Sequence, residues 1–294
     1  SGLKKTDLNR VKKTIIANLD NEHADYFLNF WAEAKMAYTN FNESRRGGMN
    51  SKNDVKIIQY KDMGVSQFGT SFKINNIEIN LQLLGAFNAA NAMNAVCIGL
   101  SQGITLEKIK AGLESIEGVA GRLEKITSPS PSPMAGEGSK VNFTVIVDYA
   151  FEPNAAAKLY ETIKLIPHKK VIHVLGSAGG GRDIARRPKL GLLAGEKANF
   201  VIVTNEDPYN EDPQIIINQV AAGAEKAGKV LDKDLYKILD RREAIKRALS
   251  MAEENDIVLI TGKGSEQAIC VANGEKITWD DRAVVRGLLY EMEA

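Results

Sequence analysis

Length, composition and charge narrow the classes of protein before any motif is considered. The chain has 294 residues, enough for one large or two ordinary domains, and its 38 Lys and Arg almost balance its 37 Asp and Glu. This balance gives no electrostatic reason to expect a nucleic-acid or membrane partner. No apolar stretch approaches the ~20 residues that span a bilayer. Cys97 and Cys270 have no Cys or His at metal-ligand spacing, so we expect both to be free thiols rather than metal ligands. Free thiols, together with the absence of a membrane-spanning stretch, predict a soluble, cytoplasmic protein.

Residues 1–118 are predicted to form a first domain. Apolar and alternating runs predict two strands, a hairpin and two helices, at 12–20, 55–60, 71–83, 83–103 and 106–116. In the first turns of the alanine-rich helix, Asn88, Asn91 and Asn94 recur every three residues. This stripe is either a solvated face or a row of amides that hydrogen-bonds the edge of a nucleobase.

Residues 119–294 show a regular alternation of strands and helices. A proline- and serine-rich stretch at 127–140 predicts a flexible loop between two strands, with a proline-rich partner site as the alternative. Strands are predicted near 143–148, 170–175, 199–204, 235–239 and 256–262, and helices at 153–166, 185–198, 212–227, 241–254 and 280–292. This alternation predicts a doubly wound α/β sheet.

Two loops of this region carry opposite charge. The βαβ unit over 171–213 places the glycine-rich, cationic loop at 176–183 and the acidic loop at 205–213 at the carboxyl edge of one sheet. Open α/β sheets bind ligands at that edge. The loops therefore suit a zwitterion, or a phosphate beside an ammonium group, unless they are ordinary connections.

Several common chemistries lack their motifs. The sequence contains no GxxxxGK[ST] phosphate-binding loop, and the 176–183 loop is not a dinucleotide fingerprint. Ser177 and Ser265 have no His close in sequence, so a catalytic nucleophile is not indicated. What remains is a set of positive, acidic and amide groups suited to a nucleotide and an amine-bearing substrate.

Six motifs together resemble the Mur ligase family, in its UDP-N-acetylmuramyl-tripeptide synthetase type. They are LLGAFNAANAMNA, GRLEKI, VIVDYAFEPNA, GSAGGGRDIARRPKLG, TNEDPYNEDP and GKGSEQ with WDDR. The resemblance implies a Rossmann-like C-terminal domain (119–294) preceded by the truncated rear part of a central ATPase domain (1–118). It also implies an ATP- and Mg²⁺-dependent ligase that activates a carboxylate of a UDP-MurNAc-peptide as an acyl phosphate. An amino acid's amine then attacks to form an amide, in peptidoglycan precursor synthesis, and we expect a monomer.

The resemblance also assigns residues. Those implied at the nucleotide are Asn88, Asn91, Arg122 and Asp148. Those implied at the transferred groups, as catalytic positive charges, are Arg182 and Arg187. Those implied in the pocket for the incoming amino acid are Arg182, Glu206, Asp207, Pro208, Tyr209, Gly262 and Glu266.

The sequence departs from the family pattern in three of these motifs. The family's DYAH and GKGHE each lose a histidine, to Phe151 and Ser265. Where diaminopimelate-adding members have Asp-Asn-Pro-Arg, this chain has Glu206 to Tyr209, which removes an arginine and adds a negative charge. We therefore expect an amino acid other than diaminopimelate, one with a distal cation such as lysine.

The P-loop, the magnesium ligands and a modified lysine precede this segment in the family. Lys35 lies in a stretch that echoes the lysine region, but its distance to Gly85 is too short, so we expect a surface lysine. A better match is a later strand end of the family, with the pattern Asn-x-Asp-Asp, which corresponds here to residues 18–21. The chain alone is therefore expected to be inactive. A non-catalytic binding module, or a folylpolyglutamate- or cyanophycin-type ligase, are the alternatives.

Overall fold

The computed structural model of the chain describes residues 13–41, 54–126 and 143–293. The chain separates into two compact units, Ser1–Glu117 and Gly118–Ala294. The proline- and serine-rich segment at 127–140 lies outside the described residues, but the strands predicted on either side of it are present.

The first unit contains two three-stranded sheets. One is parallel, in the order β1-β2-β3, and the other is antiparallel, in the order β4-β5-β6. The elements are β1 (Thr14–Asn18), α1 (Ala24–Leu28), β2 (Ala34–Thr39), β3 (Val55–Gln59), β4 (Lys61–Ser66), β5 (Gly69–Ile74), β6 (Ile77–Leu81), α2 (Phe87–Ser101) and α3 (Leu106–Glu114).

The predicted hairpin and alanine-rich helix supply the core of this unit. β5 and β6 join through Asn75, whose φ of 53° is left-handed, as a tight hairpin turn requires. Phe72 and Ile79 point inward and are fully buried with Met93 of α2. β2 and β4 escape sequence prediction because neither shows the alternation of a half-buried strand: β2 ends in four buried residues, and β4 is mostly exposed.

The second unit is built on a six-stranded sheet in the order β11-β10-β9-β12-β8-β7. Neighbouring strands are parallel, except that β7 runs antiparallel to β8. The elements are β7 (Glu124–Ile126), β8 (Thr144–Asp148), α4 (Pro153–Ile163), β9 (Val171–Leu175), α5 (Arg186–Lys197), β10 (Phe200–Val203), α6 (Pro213–Lys226), β11 (Leu235–Lys237), α7 (Arg241–Met251), β12 (Ile257–Thr261), β13 (Ala268–Cys270), β14 (Lys276–Thr278) and α8 (Asp281–Glu293).

The strand order creates a crevice at one edge of this sheet. From β8 through β9 and β10 to β11, the chain steps in one direction, and it then returns through α7 to β12 beside β9. This return places β12 between β9 and β8, at the point where the order of the strands reverses. Open α/β sheets bind ligands at such a switch point. The predicted doubly wound sheet is confirmed.

Two helices on this sheet approach each other closely. A Cβ added at Gly191 of α5 would lie 1.8 Å from the Val220 carbonyl oxygen of α6. A Cβ added at Gly223 of α6 would lie 2.0 Å from the Pro188 carbonyl oxygen of α5. Only glycine allows this contact, which fixes α5, and with it the loop that precedes α5, against α6.

Candidate functional site

A pocket of about 270 Å³ lies at the carboxyl edge of the second unit's sheet. Its walls come from the loops that follow β8, β9, β10 and β12. Six residues that the sequence places in the amino-acid pocket line it: Arg182, Glu206, Asp207, Tyr209, Gly262 and Glu266. The seventh, Pro208, is buried between Asp207 and Tyr209 and does not line it. Folding thus brings together charged groups from three separate loops.

Glu206 is a buried carboxyl group on the pocket wall. Its side chain is 4% exposed, and burial raises its pKa to about 7, although the charges of Arg241, Lys263 and Arg186 oppose the rise. Its Oε2 has no hydrogen-bond partner. Gly262, with a φ of 106°, packs against it: a Cβ there would lie 2.3 Å from Oε2. A glycine is required here to admit the carboxyl group.

Asp207 and Glu266 share one buried cation. Lys263 is 1% exposed, and its Nζ lies 2.8 Å from Asp207 Oδ1 and 2.7 Å from Glu266 Oε2. Burial lowers the pKa of Lys263, but the hydrogen bonds to both carboxylates outweigh it and raise the pKa. The Tyr149 hydroxyl donates to Glu266 Oε1 at 2.9 Å. The negative charge of Asp207, from which a distal cation was expected, is therefore compensated within the protein.

Arg182 and Tyr209 face each other across the opening of the pocket. Arg182 Nη2 donates to the Tyr209 hydroxyl at 3.4 Å, and its guanidinium lies 5.9 Å from the ring centroid. Tyr209 has a left-handed φ of 50°, and its backbone N–H donates to the Cys270 carbonyl at 3.1 Å. The tyrosine that replaces the family's arginine is therefore held in place by backbone and side chain together.

Arg186 lines the same pocket and was not singled out from the sequence. It is 4% exposed, with Nη1 2.6 Å from Glu152 Oε1 and Nε donating to Ser177 Oγ at 3.4 Å. Its guanidinium lies 5.3 Å from the centroid of the Phe151 ring. Its position as the first residue of α5, directly after the glycine-rich loop, is the signal that could have identified it. Phe151 thus lies on the pocket wall. It stands where the family pattern has a histidine near the nucleotide.

Arg187, predicted as catalytic, does not line the pocket. It is 1% exposed, with Nη2 2.9 Å from Glu211 Oε2, Nη1 donating to Gln219 Oε1 at 2.8 Å, and Nη2 donating to the Ala178 carbonyl at 3.2 Å. These bonds tie α5 to α6 and to the loop after β9. They describe a structural role, and a catalytic role for Arg187 stays a prediction.

The predicted nucleotide residues of the second unit hold a turn together. Asp148 is 9% exposed, and its two oxygens accept backbone N–H bonds from Leu123 and Ala150, both at 2.7 Å. Burial raises the pKa of Asp148 in spite of these bonds. The exposed Arg122 places its guanidinium 4.3 Å from the Tyr149 ring centroid. Ribose binding by Asp148 stays a prediction.

The amides of the first unit pair with each other. Asn88 Nδ2 donates to the Leu84 carbonyl at 2.7 Å, and Asn91 Nδ2 donates to Asn88 Oδ1 at 3.1 Å. These bonds satisfy part of the amide row within the protein. Adenine binding by these residues is neither required nor excluded by them, and it stays a prediction.

The sequence predicts Lys35 to be a surface lysine, and the structure leaves this residue partly exposed. It is half-buried in β2, and its Nζ donates to the Leu28 carbonyl at 2.8 Å. A lysine that closes a local turn in this way needs no further function.

The described residues do not by themselves fit a triphosphate with its metal. The glycine-rich loop after β9 has its arginines engaged by Glu152, Glu211 and Tyr209. Within the described ranges, no group of three or more His, Cys, Asp or Glu could hold a metal ion. Over the same ranges, no helix is long and apolar enough to cross a membrane.

Comparison with known proteins identifies the family. Residues 136–264 match the Mur ligase glutamate ligase domain, and residues 4–99 match the Mur ligase middle domain. Together these matches cover more than half of the chain. This chain belongs to the Mur ligase family. The resemblance predicted from the sequence is thereby confirmed.

Individual Mur ligases match over most of this chain. The UDP-N-acetylmuramyl-tripeptide synthetase of Roseiflexus sp. (strain RS-1) is 38% identical over 239 residues, which is 80% of this chain and 44% of that protein. The UDP-N-acetylmuramoyl-L-alanyl-D-glutamate--2,6-diaminopimelate ligase of Syntrophomonas wolfei is 35% identical over 247 residues, 83% of this chain and 47% of that protein. A solved structure of a diaminopimelate ligase with the same enzyme name is 27% identical, with a TM-score of 0.55 over 96% of this chain and 54% of that one. The chain thus spans about half the length of these Mur ligases.

Proposed function

We propose that this chain is the amino-acid-binding portion of an ATP- and Mg²⁺-dependent Mur ligase. The complete enzyme would join an amino acid to a UDP-MurNAc-peptide in cytoplasmic peptidoglycan precursor synthesis. The observation that carries the proposal is the pocket at the switch point of the sheet, which Arg182 and Arg186 line together with Glu206 and Glu266. Such a pocket suits a small molecule that carries both an ammonium group and a carboxylate.

The role of the chain's own residues is to bind and orient the amine that attacks. A fixed amine gains the large rate advantage of an oriented intramolecular reactant. The pocket residues come from four loops that the sheet holds rigidly, which favours such orientation. The residues that hold the triphosphate are not identified in the described part of the chain, so no step involving it is assigned to them.

The pocket also supports an amino acid other than diaminopimelate. Tyr209 stands where an arginine would pair a distal carboxylate, and Arg182 is already turned toward the tyrosine hydroxyl. The argument for a distal cation is weaker, because Lys263 compensates Asp207. Lysine remains the proposed substrate because it lacks the distal carboxylate that an arginine at position 209 would pair.

The test is amino-acid-dependent phosphate release by the polypeptide that the complete reading frame encodes. ATP and UDP-N-acetylmuramyl dipeptide are supplied with L-lysine, L-ornithine, L-alanine, L-glutamate or meso-diaminopimelate. We expect release with lysine, loss of release in a Glu206→Gln variant, and unchanged release in a Lys189→Gln control, whose side chain is exposed on α5.

Other outcomes would contradict the proposal in distinct ways. Faster release with diaminopimelate than with lysine would overturn the specificity. Release only with glutamate on a folate or other non-muramyl acceptor would favour a folylpolyglutamate- or cyanophycin-type ligase. No release with any amino acid, from a reading frame without GxxxxGK[ST], would favour a non-catalytic binding module.

A further inference from the structure

Cys270 places a free thiol on the wall of the pocket. It is the last residue of β13, it is half-buried, and it lines the pocket. Its backbone is fixed, because its N–H donates to Asp207 Oδ1 at 2.7 Å and its carbonyl accepts from the Tyr209 N–H at 3.1 Å. The proposed ligase reaction does not use this thiol.

The other cysteine of the chain is an internal control. Cys97 lies in α2 and is fully buried among apolar side chains. Burial raises the pKa of its thiol to about 11, so almost none of it is ionised near neutral pH. The thiolate is the nucleophile in disulfide exchange, and a reagent must also reach the sulfur. Cys97 should therefore be unreactive in the folded chain, whereas the thiol of Cys270 is accessible from the pocket.

A lysine lies directly across the ladder from Cys270. β13 and β14 are antiparallel, and Cys270 is the partner of Lys276 in their register. Residues directly opposite each other have Cβ atoms about 4.5–5.5 Å apart on the same face of the ladder. Lys276 also lines the pocket, is exposed, and forms no ion pair within the described ranges. Its ammonium group is thus available to an anion that approaches the thiol.

The charges on the other side of the thiol also favour an anion. Arg182 contacts the uncharged Tyr209 hydroxyl, and no carboxylate of the described residues pairs with it. Asp207 is the acidic group bound to the backbone of Cys270, but Lys263 lies 2.8 Å from its Oδ1 and balances its charge. Two cations without a counter-charge therefore line the pocket together with this thiol.

A buried donor on the same wall lacks a partner. Arg186 is 4% exposed, and its Nη2 has no hydrogen-bond partner. A buried donor left unpaired costs about 1–3 kcal/mol, and more when the group is charged. A carboxylate in the pocket would supply the acceptor. Glu206 Oε2 is the other unpartnered atom of the lining, and the protonated form of that carboxyl group can also donate to a carboxylate.

We propose that Cys270 is a modification site, where a small thiol that carries a carboxylate becomes attached as a mixed disulfide. The Cys270 sulfur attacks one sulfur of the small molecule's disulfide, and the S–S bond of that disulfide breaks. The Cys270 thiol gives its proton to solvent, and the second half of the small molecule leaves as a thiolate. Cys270 is oxidised, and the disulfide is the oxidant. A thiol reductant reverses the step.

This inference goes beyond the proposed function, because the modification requires no catalysis by the complete enzyme. The attached group would occupy the pocket of about 270 Å³ in which we propose that the amino acid binds. An oxidising environment would then close the pocket, and a reducing one would open it.

Intact-mass spectrometry and peptide mapping of the 294-residue chain follow the modification of each cysteine over time. Three disulfides of nearly equal size differ in charge: dithiodiglycolate is anionic, hydroxyethyl disulfide is uncharged, and cystamine is cationic. Each rate is divided by the rate at the same cysteine in urea-unfolded chain, which removes the intrinsic reactivity of the reagent. On this scale we expect Cys270 to react about tenfold faster with dithiodiglycolate than with hydroxyethyl disulfide, and slowest with cystamine. Cys97 should stay unmodified.

Substitutions assign the preference to individual residues. Lys276→Gln should lower the preference for dithiodiglycolate about fivefold, as expected for one charge a few ångström away in water. Arg186→Gln removes the free donor and should slow dithiodiglycolate alone. Lys189→Gln is the matched control, because this lysine is exposed on α5 and lies outside the pocket lining. High salt should reduce the preference in the unmodified sequence.

The contrary outcomes are distinct. Modification of Cys97 at a comparable rate, or none at Cys270 in the folded chain, overturns the site. Equal normalised rates for the three reagents, or a preference that Lys276→Gln leaves unchanged, overturns the recognition of an anion. A preference for cystamine overturns the assigned ligand class in favour of a cationic thiol. None of these results bears on amino-acid-dependent phosphate release by the complete polypeptide, which tests the proposed function separately.

Discussion

At the scale of single residues, Glu206 combines burial, an unpartnered oxygen and a position on the pocket wall. The neighbouring Gly262 leaves space for its carboxyl group, since a Cβ would lie 2.3 Å from Oε2. Burial makes the ionised carboxylate costly, and this effect outweighs the charges of Arg241, Lys263 and Arg186, so the pKa of Glu206 rises to about 7. A bound ammonium would stabilise the ionised form.

Amino-acid binding should therefore depend on the titration of Glu206. Below pH 7 the carboxyl group is mostly protonated, and above pH 7 it is mostly ionised and able to accept from an ammonium. The affinity of the chain for L-lysine should rise about tenfold from pH 6 to pH 8, in proportion to the ionised fraction. The charged groups that face Glu206 are Arg241, Asp207, Lys263 and Arg186.

NMR titration at pH 6, 7 and 8 measures this dependence. Glu206→Gln should remove the slope, because its amide does not titrate. A slope that survives in Glu206→Gln would assign the titration to another group and contradict the account of Glu206.

Tyr209 is the residue that should set the preference at the distal end. In Tyr209→Arg, the new guanidinium can pair with a distal carboxylate, and the ratio of affinities should shift toward meso-diaminopimelate by about tenfold relative to lysine. Arg182 moderates the gain, because like charges would then face each other. Tyr209→Phe, which removes only the hydroxyl, is the matched control and should leave the preference unchanged. Competition titrations with the two amino acids measure the ratio, and an unchanged ratio in Tyr209→Arg would place the distal end elsewhere.

At the scale of elements, Arg241 joins the ends of two strands that carry pocket residues. It begins α7, is 2% exposed, and forms a bidentate pair with Asp281 at 2.8 and 2.7 Å. It also donates to the carbonyls of Asn205 and Thr261, the residues that precede Glu206 and Gly262. A single guanidinium thus fixes the spacing of two pocket walls.

Removing Arg241 should destabilise the protein strongly. Arg241→Met leaves the buried carboxylate of Asp281 with the Trp279 Nε1 hydrogen bond but without its counter-charge, and we expect the free energy of unfolding to fall by about 3–5 kcal/mol. The next residue offers a control: Arg242 pairs with Glu291 at 2.6 Å, but both side chains are exposed. Arg242→Met should cost less than about 1 kcal/mol. Denaturant unfolding of both variants measures the difference, and equal losses would contradict a special role for the buried pair.

At the scale of the whole molecule, the chain combines two units with separate tasks in the proposed ligase. The second unit contains the pocket that we propose for the amino acid, and the first unit contains the amide row that the sequence relates to adenine. The sequence contains no GxxxxGK[ST], the loop whose backbone N–H groups and lysine hold the phosphates. Recognition of the base without its phosphates supplies only a small part of nucleotide affinity.

The 294-residue chain should accordingly bind Mg²⁺–ATP weakly or not at all. Isothermal titration calorimetry measures this directly, with the complete polypeptide as the positive control. Tight, magnesium-dependent binding to the 294-residue chain would show that its own residues hold the triphosphate, and it would overturn the division of tasks proposed here.

Local pattern in the sequence was sufficient to predict most of the second unit. Strands such as Val171–Leu175 and Ile257–Thr261 are short apolar runs between helical segments, and burial on both faces of a parallel sheet requires that composition. The βαβ handedness then places the loops after them at one edge without any further information. The family and the main pocket loops also follow from the sequence.

The tertiary structure alone decided which charges remain for a ligand. Lys263 forms an ion pair with Asp207, which lies 56 residues away in the sequence. The guanidinium of Arg187 binds Glu211 and Gln219, whereas Arg186 has one N–H group without a partner. The spacing of residues in the sequence does not predict such pairings. The interaction energy of a charged side chain depends on its burial and on partners that only the folded chain brings within hydrogen-bonding distance. The sequence by itself predicted the edge of the sheet at which the pocket lies and six of the residues that line it. Only the packing of the loops determined which of those residues are satisfied by the protein.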